Sequence, residues 1–276
     1  MLVALLLGPC CMPLFPAEQD TIKLQNMSEK IISLTLPTGE VRIKLYNETP
    51  QHRDNMLKLV EDGFYDGTLF HRVIRDFMVQ GGDPDSRSAQ QGDSLGRGDV
   101  GYTVPAEFSS ALFHKKGAVC AARQGDEVNP ERASSGCQFY IVTGKRYNRS
   151  QLRQLEEQMN MQRAQVFFQQ LVKERYEDIK KLRLERNRNG LYALQEELAA
   201  QAKEMARTQD PFHFSPEQIE AYTTEGGAPF LDGSYTVFGE VISGMELIEE
   251  LERVKTDRND RPLEDVPMKI TVVGEE

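Results

Sequence analysis

The chain has 276 residues, of which 39% are hydrophobic and 28% are charged. This composition is typical of a globular protein and excludes fibrous and fully disordered classes. The formal net charge of −10 argues against nucleic-acid binding, which needs a basic surface. Four cysteines do not make a disulfide framework at this length, and the four histidines have no cysteine at ligand spacing. We therefore expect no metal and no cofactor.

The N-terminal segment, residues 1–25, differs from the rest of the chain. Its apolar run Leu2–Leu7 is too short to cross a bilayer, but it suits the hydrophobic part of a secretory signal. We therefore expect export to the periplasm or cell envelope, with a disordered tail on a cytoplasmic protein as the alternative. Leu7-Gly8-Pro9-Cys10 is also similar to a lipoprotein cleavage box, which would give peripheral or lipid-anchored membrane association.

A β-hairpin and a helix are predicted next. Ile31–Leu36 and Val41–Tyr46 alternate apolar and polar residues, and a Pro-Thr-Gly turn separates them. Thr49 is a good N-cap for a helix with proline at its first position, and Gly63 is a good stop.

Further short strands are predicted along the chain. They lie at 117–123, 138–142, 235–239 and 268–273. A second short helix is predicted to begin with a capping box running from Ser243 to Glu246. Many short strands with two short helices favour a mainly β protein, folded as a closed barrel with its ends capped by the helices.

A helical insertion is predicted to interrupt the strands. From Arg149 onward, apolar residues recur at three-to-four spacing on both sides of the turn Asn187–Gly190, which predicts two antiparallel helices. Ser215 predicts the start of a third, short helix. The domain prediction is thus a barrel from 26–148 and 228–276 with a helical insertion at 149–227. The insertion either covers barrel surface or serves as an arm that holds clients or docks a partner.

The run Phe70–Asp83 carries the strongest functional signal. Arg72 lies close in sequence to Phe77, Met78 and Gln80 on two short predicted strands. A guanidinium among apolar groups is costly unless its donors have a partner, and the natural partner is a ligand carbonyl.

Three separated motifs resemble the bacterial cyclophilin-type peptidyl-prolyl cis-trans isomerases. They are Phe70–Asp83, Gly136–Tyr140 and Phe230–Gly239, in the family's order. The resemblance covers roughly 31–144 and 230–273. It implies a closed antiparallel eight-stranded barrel, and a monomeric isomerase acting in protein folding on proline-containing peptides and unfolded protein clients.

The resemblance also implies roles for individual residues. Arg72 matches the family's catalytic arginine, which would stabilise the twisted X–Pro amide. The implied substrate-binding residues are Phe77, Met78, Gln80, Ala122, Arg123, Gln138, Tyr140, Phe230, Leu231 and Tyr235. Phe230 and Tyr235 stand where well-known members have Trp and His, and Arg123 stands where they have Asn. The lost indole N–H weakens the expectation that cyclosporin-like macrocycles bind, and Arg123 implies a different preference for the residue before proline.

The sequence also leaves an alternative function open. A proline-peptide-binding chaperone with weak or no catalysis is the alternative function, while a hydrolase finds no nucleophile constellation. His71 is expected on the opposite strand face from Arg72, in a structural role. Gly96–Gly101 matches GxGxxG but lacks a βαβ context, so a loop is expected. Cys120 and Cys137 are expected as buried free thiols, with a disulfide as the alternative.

Overall fold

The computed structural model describes residues 28–209 and 211–275, so the predictions for residues 1–25 lie outside the described part. The first hairpin forms as predicted. Strand β1 (Lys30–Leu36) pairs antiparallel with β2 (Gly39–Leu45) across a two-residue turn. Alternation of the side chains buries one face of the hairpin completely.

Six further strands join β1 and β2: β3 (Phe70–Ile74), β4 (Met78–Gly81), β6 (Ala118–Ala121), β8 (Phe139–Val142), β9 (Val237–Ser243) and β10 (Lys269–Glu275). The eight strands form one antiparallel sheet in the order β10-β1-β2-β9-β6-β8-β4-β3. A separate two-stranded sheet pairs β5 (Thr103–Val104) with β7 (Ser134–Ser135). The fold is therefore mainly β, as expected.

The eight-stranded sheet is an open, curled half-barrel, whereas the sequence led us to expect a closed barrel. Its end strands, β3 and β10, form no ladder with each other. The segments that lead into them meet at a bridge between Leu69 and Pro267, which is flanked by backbone hydrogen bonds from Met268 N to Thr68 O at 2.8 Å and from Phe70 N to Val266 O at 3.0 Å.

The described residues form six α-helices. They are α1 (Pro50–Glu61), α2 (Arg149–Glu174), α3 (Tyr176–Leu184), α4 (Arg188–Thr208), α5 (Pro216–Thr224) and α6 (Met245–Leu251). Helices α1 and α6 bury apolar side chains such as Met56 and Ile248 in the core enclosed by the sheet. Helix α1 begins after Thr49 as predicted. The capping box predicted for α6 is wrong, because Gly244, with φ of 83°, is its N-cap and Ser243 ends β9.

The insertion is a helical hairpin with two separate cores. Helix α2 packs against α4, and the predicted first helix is divided at Arg175 into α2 and α3. The tip core is built around buried Leu171, Leu194, Leu198 and Ala202. The base core is built around Leu152, Phe214 and Tyr222, with Phe113 and Tyr147 packed against them. Because Phe113 precedes β6, the base core joins the insertion to the sheet.

The two faces of the curled sheet carry different clusters. The inner face holds the main core, which includes Val79, Phe139 and Cys137. The outer face holds a smaller cluster around Met78, Cys120, Tyr140, Val142 and Val237. The two cysteines are free and belong to different clusters, which agrees with the expected free thiols. Within the described part of the chain, no helix is long and apolar enough to cross a membrane, and no acidic, His or Cys cluster could hold a metal.

Candidate active site

A row of side chains crosses four neighbouring strands on the outer face. Arg72 of β3 lies opposite Gln80 of β4, Gln80 lies opposite Tyr140 of β8, and Tyr140 lies opposite Cys120 of β6. Met78 shares this face because it precedes Gln80 by two residues. The pleat of the sheet therefore gathers side chains from distant parts of the chain.

A pocket of about 160 Å³ lies over this row. Its lining residues are Arg72, Phe77, Met78, Gln80, Ala122, Arg123, Tyr140, Leu231 and Tyr235. All of them are among the residues predicted for the site, so the structure brings nine of the eleven together around one pocket; their roles stay predictions. The volume is close to that of an engineered apolar cavity that takes up one benzene ring.

Arg72 is held at the pocket by a relay of amides. Its Nη1 donates to Gln80 Oε1 at 3.5 Å, and Gln80 Nε2 donates to Gln138 Oε1 at 3.1 Å. Gln138 Nε2 in turn donates to Gly98 O at 2.8 Å. The only ion pair of Arg72 within the described chain is long, 3.8 Å from Nε to Asp260, and both side chains are 45% exposed. Such a pair contributes little, so the guanidinium keeps donors for a ligand.

The two predicted residues outside the lining support it from behind and from the side. Gln138 lies behind Gln80 as the second amide of the relay. The ring of Phe230 is 5.4 Å from that of Phe77, centre to centre, and is 44% exposed beside the pocket. Phe230 therefore extends the apolar wall towards solvent.

Arg123 is packed into the wall and does not extend towards a ligand. Its Nε donates to Ser234 O at 2.8 Å, its guanidinium lies 4.4 Å from the centre of the Tyr235 ring, and Nη1 pairs with Asp126 at 2.7 Å. Its side chain is only 5% exposed. Arg123 thus fixes Tyr235 and the loop that follows β6.

Sequence reasoning missed the polar groups behind Tyr140. His114 Nε2 lies 3.0 Å from the Tyr140 hydroxyl, and His114 Nδ1 lies 2.8 Å from Asp232 Oδ1. Burial, followed by the neighbouring Cys120 and Tyr235, raises the pKa of Tyr140 well above its usual value, so the hydroxyl keeps its proton. Asp232 lies inside the motif Phe230–Gly239, but nothing in the sequence pattern marks His114.

His71 is buried beside the site, next to Arg72. Burial outweighs the nearby Asp83 carboxylate and lowers the pKa of His71 to about 4, so the imidazole is neutral at pH 7. It lines a neighbouring cavity of about 220 Å³ together with Gly96 and Arg261. The Gly96–Gly101 segment is a loop, as expected, and its Gly96 and Gly98 N–H groups bind the Asp83 carboxylate.

A buried trio elsewhere has the residue types of a hydrolase triad. His52 Nδ1 lies 2.6 Å from Glu107 Oε2, and His52 Nε2 lies 2.9 Å from Ser134 Oγ. Burial alone would raise the pKa of Glu107, but the hydrogen bonds from His52 and Gln51 lower it below its usual value. Ser134 is only 1% exposed, so no substrate reaches its hydroxyl. The trio links α1 to β7 by hydrogen bonds, and it does not support a hydrolase function.

Comparison with known proteins agrees with this geometry. The profile of the family described as "Cyclophilin type peptidyl-prolyl cis-trans isomerase/CLD" matches residues 31–273. A Staphylococcus epidermidis protein assigned to the peptidyl-prolyl cis-trans isomerases is 28% identical over 245 residues, which are 88% of this chain and 91% of that protein. A Staphylococcus aureus protein with the same assignment is 28% identical over 229 residues, 83% of each chain.

Solved structures show the same fold. The crystal structure of a Cryptosporidium parvum cyclophilin-type isomerase superposes with a TM-score of 0.51 at 17% identity, covering 90% of this chain and 99% of that one. A second structure of that protein, obtained in the presence of the dipeptide Ala-Pro, gives 0.50. With a family profile that spans nearly the whole described chain, the protein belongs to the cyclophilin-type peptidyl-prolyl cis-trans isomerases.

Proposed function

We propose that the chain accelerates X–Pro isomerisation by placing the proline ring in the outer-face pocket beneath Arg72. The observation that carries the proposal is the position of the guanidinium, which the Gln80–Gln138 relay holds in the pocket lining together with apolar side chains such as Phe77. Proline-containing peptides and unfolded protein clients are the proposed substrates.

The chemistry follows from the amide bond. Rotation about an X–Pro bond is opposed by a barrier of about 20 kcal/mol, because the planar C–N bond has double-bond character. At the twisted state conjugation is lost, and the proline nitrogen regains a lone pair that can accept a hydrogen bond. A fixed guanidinium donor therefore stabilises the twisted state more than either planar state, and only such differential binding raises the rate. The step needs no nucleophile and no proton transfer.

Substitution of Arg72 tests this proposal. Arg72→Ala is expected to lower kcat/KM for a prolyl tetrapeptide at least about 100-fold, the usual effect of losing a preorganised donor. Arg72→Lys should restore little, because lysine lacks the planar fork. The control is Arg42→Ala, which removes a half-exposed arginine of the first hairpin. The rates come from NMR exchange spectroscopy, and near-wild-type exchange in Arg72→Ala would refute the role of Arg72.

The alternative function on this fold is a proline-peptide-binding chaperone with weak or no catalysis. It is favoured by the side of the pocket that departs from well-known family members, where Phe230 is half-exposed and Tyr235 is engaged by Arg123. An NMR titration of the wild type with the same prolyl tetrapeptide, combined with the exchange measurement, separates the two functions. A wild-type chain that binds the peptide without accelerating its exchange would favour the chaperone.

We also propose that the protein acts outside the cytoplasm. The first support is the apolar run Leu2–Leu7 within residues 1–25. The second is that exported proteins need proline isomerisation in order to fold.

A further inference from the structure

The last helix of the insertion is hydrogen-bonded to the motif that forms one side of the pocket. From α5, the Tyr222 hydroxyl donates to Asp232 Oδ2 at 2.6 Å, and Gln218 Nε2 donates to the same oxygen at 3.1 Å. Asp232 directly follows the pocket residue Leu231. The insertion therefore contacts the site through two side chains that lie outside the three sequence motifs.

The other oxygen of Asp232 continues the network to the pocket wall. Asp232 Oδ1 accepts the His114 backbone N–H at 2.9 Å and faces His114 Nδ1 at 2.8 Å. His114 Nε2 then meets the Tyr140 hydroxyl at 3.0 Å. Every member is at least nine-tenths buried: Tyr222 is 0% exposed, His114 1%, Tyr140 4%, Asp232 6% and Gln218 7%. The network is thus continuous and shielded from water.

The direction of each hydrogen bond follows from the carboxylate. Burial and the adjacent Asp232 raise the pKa of Tyr222 far above its usual value, so its hydroxyl keeps its proton and donates. Asp232 then accepts from four donors, which assigns the His114 proton to Nδ1. The other ring nitrogen, Nε2, faces the Tyr140 hydroxyl at 3.0 Å. The orientation of the Tyr140 ring is therefore fixed from behind.

We propose that Gln218 and Tyr222 are positioning residues of the isomerase site, acting through Asp232 and His114 on Tyr140. Helix α5 is then part of the catalytic unit, although it lies in the insertion. This inference rests on the proposed function.

The energetic reason is the buried carboxylate. A buried charge needs all its hydrogen-bond partners, and a missing donor makes the group and its neighbours rearrange. His114 shares two hydrogen bonds with Asp232, so a shift of the carboxylate is passed on to His114. Movement of His114 shifts Tyr140 against the bound ring, and small misplacements at a reacting group reduce rates strongly.

The test removes one oxygen atom. Tyr222→Phe keeps the ring that packs edge-on against Phe113 at 5.6 Å and Phe214 at 5.8 Å, but it removes the donor to Asp232. We expect kcat/KM for the prolyl tetrapeptide to fall about tenfold, the scale of one hydrogen bond to a charged group. The matched control is Tyr192→Phe, since Tyr192 is 67% exposed on α4.

A double-mutant cycle with Tyr140→Phe distinguishes positioning from general destabilisation. In the Tyr140→Phe background the route to the pocket is already cut, so Tyr222→Phe should have no further effect on kcat/KM. The inference would be overturned if Tyr222→Phe lowered kcat/KM by the same factor in that background. It would also be overturned if the wild type were active and Tyr222→Phe had the same kcat/KM. Gln218→Met, measured in the same cycle, gives the answer if Tyr222→Phe does not fold. An inactive wild type would overturn the proposed function and this inference together.

Discussion

Two arginines line one pocket, and their surroundings give them different tasks. Arg72 is held by a single long hydrogen bond and a distant carboxylate, so its donors face the pocket. Arg123 is committed to a backbone carbonyl, a carboxylate and an aromatic ring. A guanidinium that already has its partners cannot also recognise a substrate residue, so Arg123 acts on specificity through the shape of the wall.

The histidine next to Arg72 makes stability depend on pH. The pKa of His71 is about 4 in the folded chain, below its ordinary value of 6.5, because burial disfavours the charged ring. Protonation therefore favours the unfolded chain, and stability is lost as pH falls from 6.5 towards 4. Between pH 7.5 and pH 5 this single group should cost the folded state about 2 kcal/mol.

Urea unfolding of the wild type and of His71→Gln at both pH values measures this contribution. The variant should lose about 2 kcal/mol less than the wild type between pH 7.5 and pH 5. His213→Gln is the control, because the His213 side chain is 68% exposed. Parallel pH dependence in the wild type and His71→Gln would show that His71 does not carry the effect.

At the level of elements, local patterns predicted some features and missed others. The first hairpin and α1 follow from alternation and from Thr49-Pro50, because neighbouring residues decide them. The capping box of α6 failed because Ser243 pairs with Arg42 in the sheet, which leaves the turn into the helix to Gly244 at positive φ. There the strand ladder prevailed over the capping signal.

The insertion shows the same limit. Helical spacing predicted the hairpin, and the capping box at Ser215 is present. The spacing did not show that the hairpin has two cores, because both use the same kinds of apolar residue. The base core is connected to the pocket, because it contains Tyr222. The tip core only packs α2, α3 and α4 together.

Because the two cores are separate, a client-holding role of the tip can be tested without disturbing the pocket. Replacing 163–208 with a short Gly-Ser linker removes the tip core but keeps α5, and Asn160 remains beside Phe212, whose backbone it binds at 2.8 and 3.0 Å. Tetrapeptide kcat/KM should stay within about twofold of wild type, since the network behind Tyr140 is intact. The refolding rate of a proline-limited unfolded protein should fall.

Tyr222→Phe is the complementary variant, because it keeps the arm and alters the pocket. It should reduce both the tetrapeptide rate and the refolding rate. If the tip deletion leaves both rates unchanged, the arm has no role in client handling. If it lowers both equally, the tip contributes to the pocket.

At the level of the whole molecule, the sequence predicted which residues meet but not how the sheet ends. Three motifs carry most of the candidate site residues, and strand register places Arg72, Gln80 and Tyr140 on one face. Closure of the sheet depends on whether its two end strands pair, and here β3 and β10 form no ladder with each other. The link between His114, Asp232 and Tyr140 joins three distant segments. Only the folded chain brings them together.

The chemistry of the described cysteines is compatible with an oxidising compartment. Cys120 and Cys137 are free and buried. Burial raises the pKa of Cys120 well above its usual value, and it raises the pKa of Cys137 to about 11. The thiolate is the reactive form, so both thiols stay unreactive at neutral pH. Export would therefore not expose these two thiols to damaging oxidation.

Export itself can be measured with the N-terminal segment. Fusing residues 1–27 to a phosphatase that is active only outside the cytoplasm should give an active, exported enzyme, because we propose that the apolar run Leu2–Leu7 is the hydrophobic part of a secretory signal. Leu5→Arg and Leu6→Arg together place two charges in that run and should abolish phosphatase activity. A lipid anchor at Cys10 would add labelling by a radioactive fatty acid, which Cys10→Ser removes. Equal retention of both fusions in the cytoplasm would refute export, and the isomerase would then act on cytoplasmic clients.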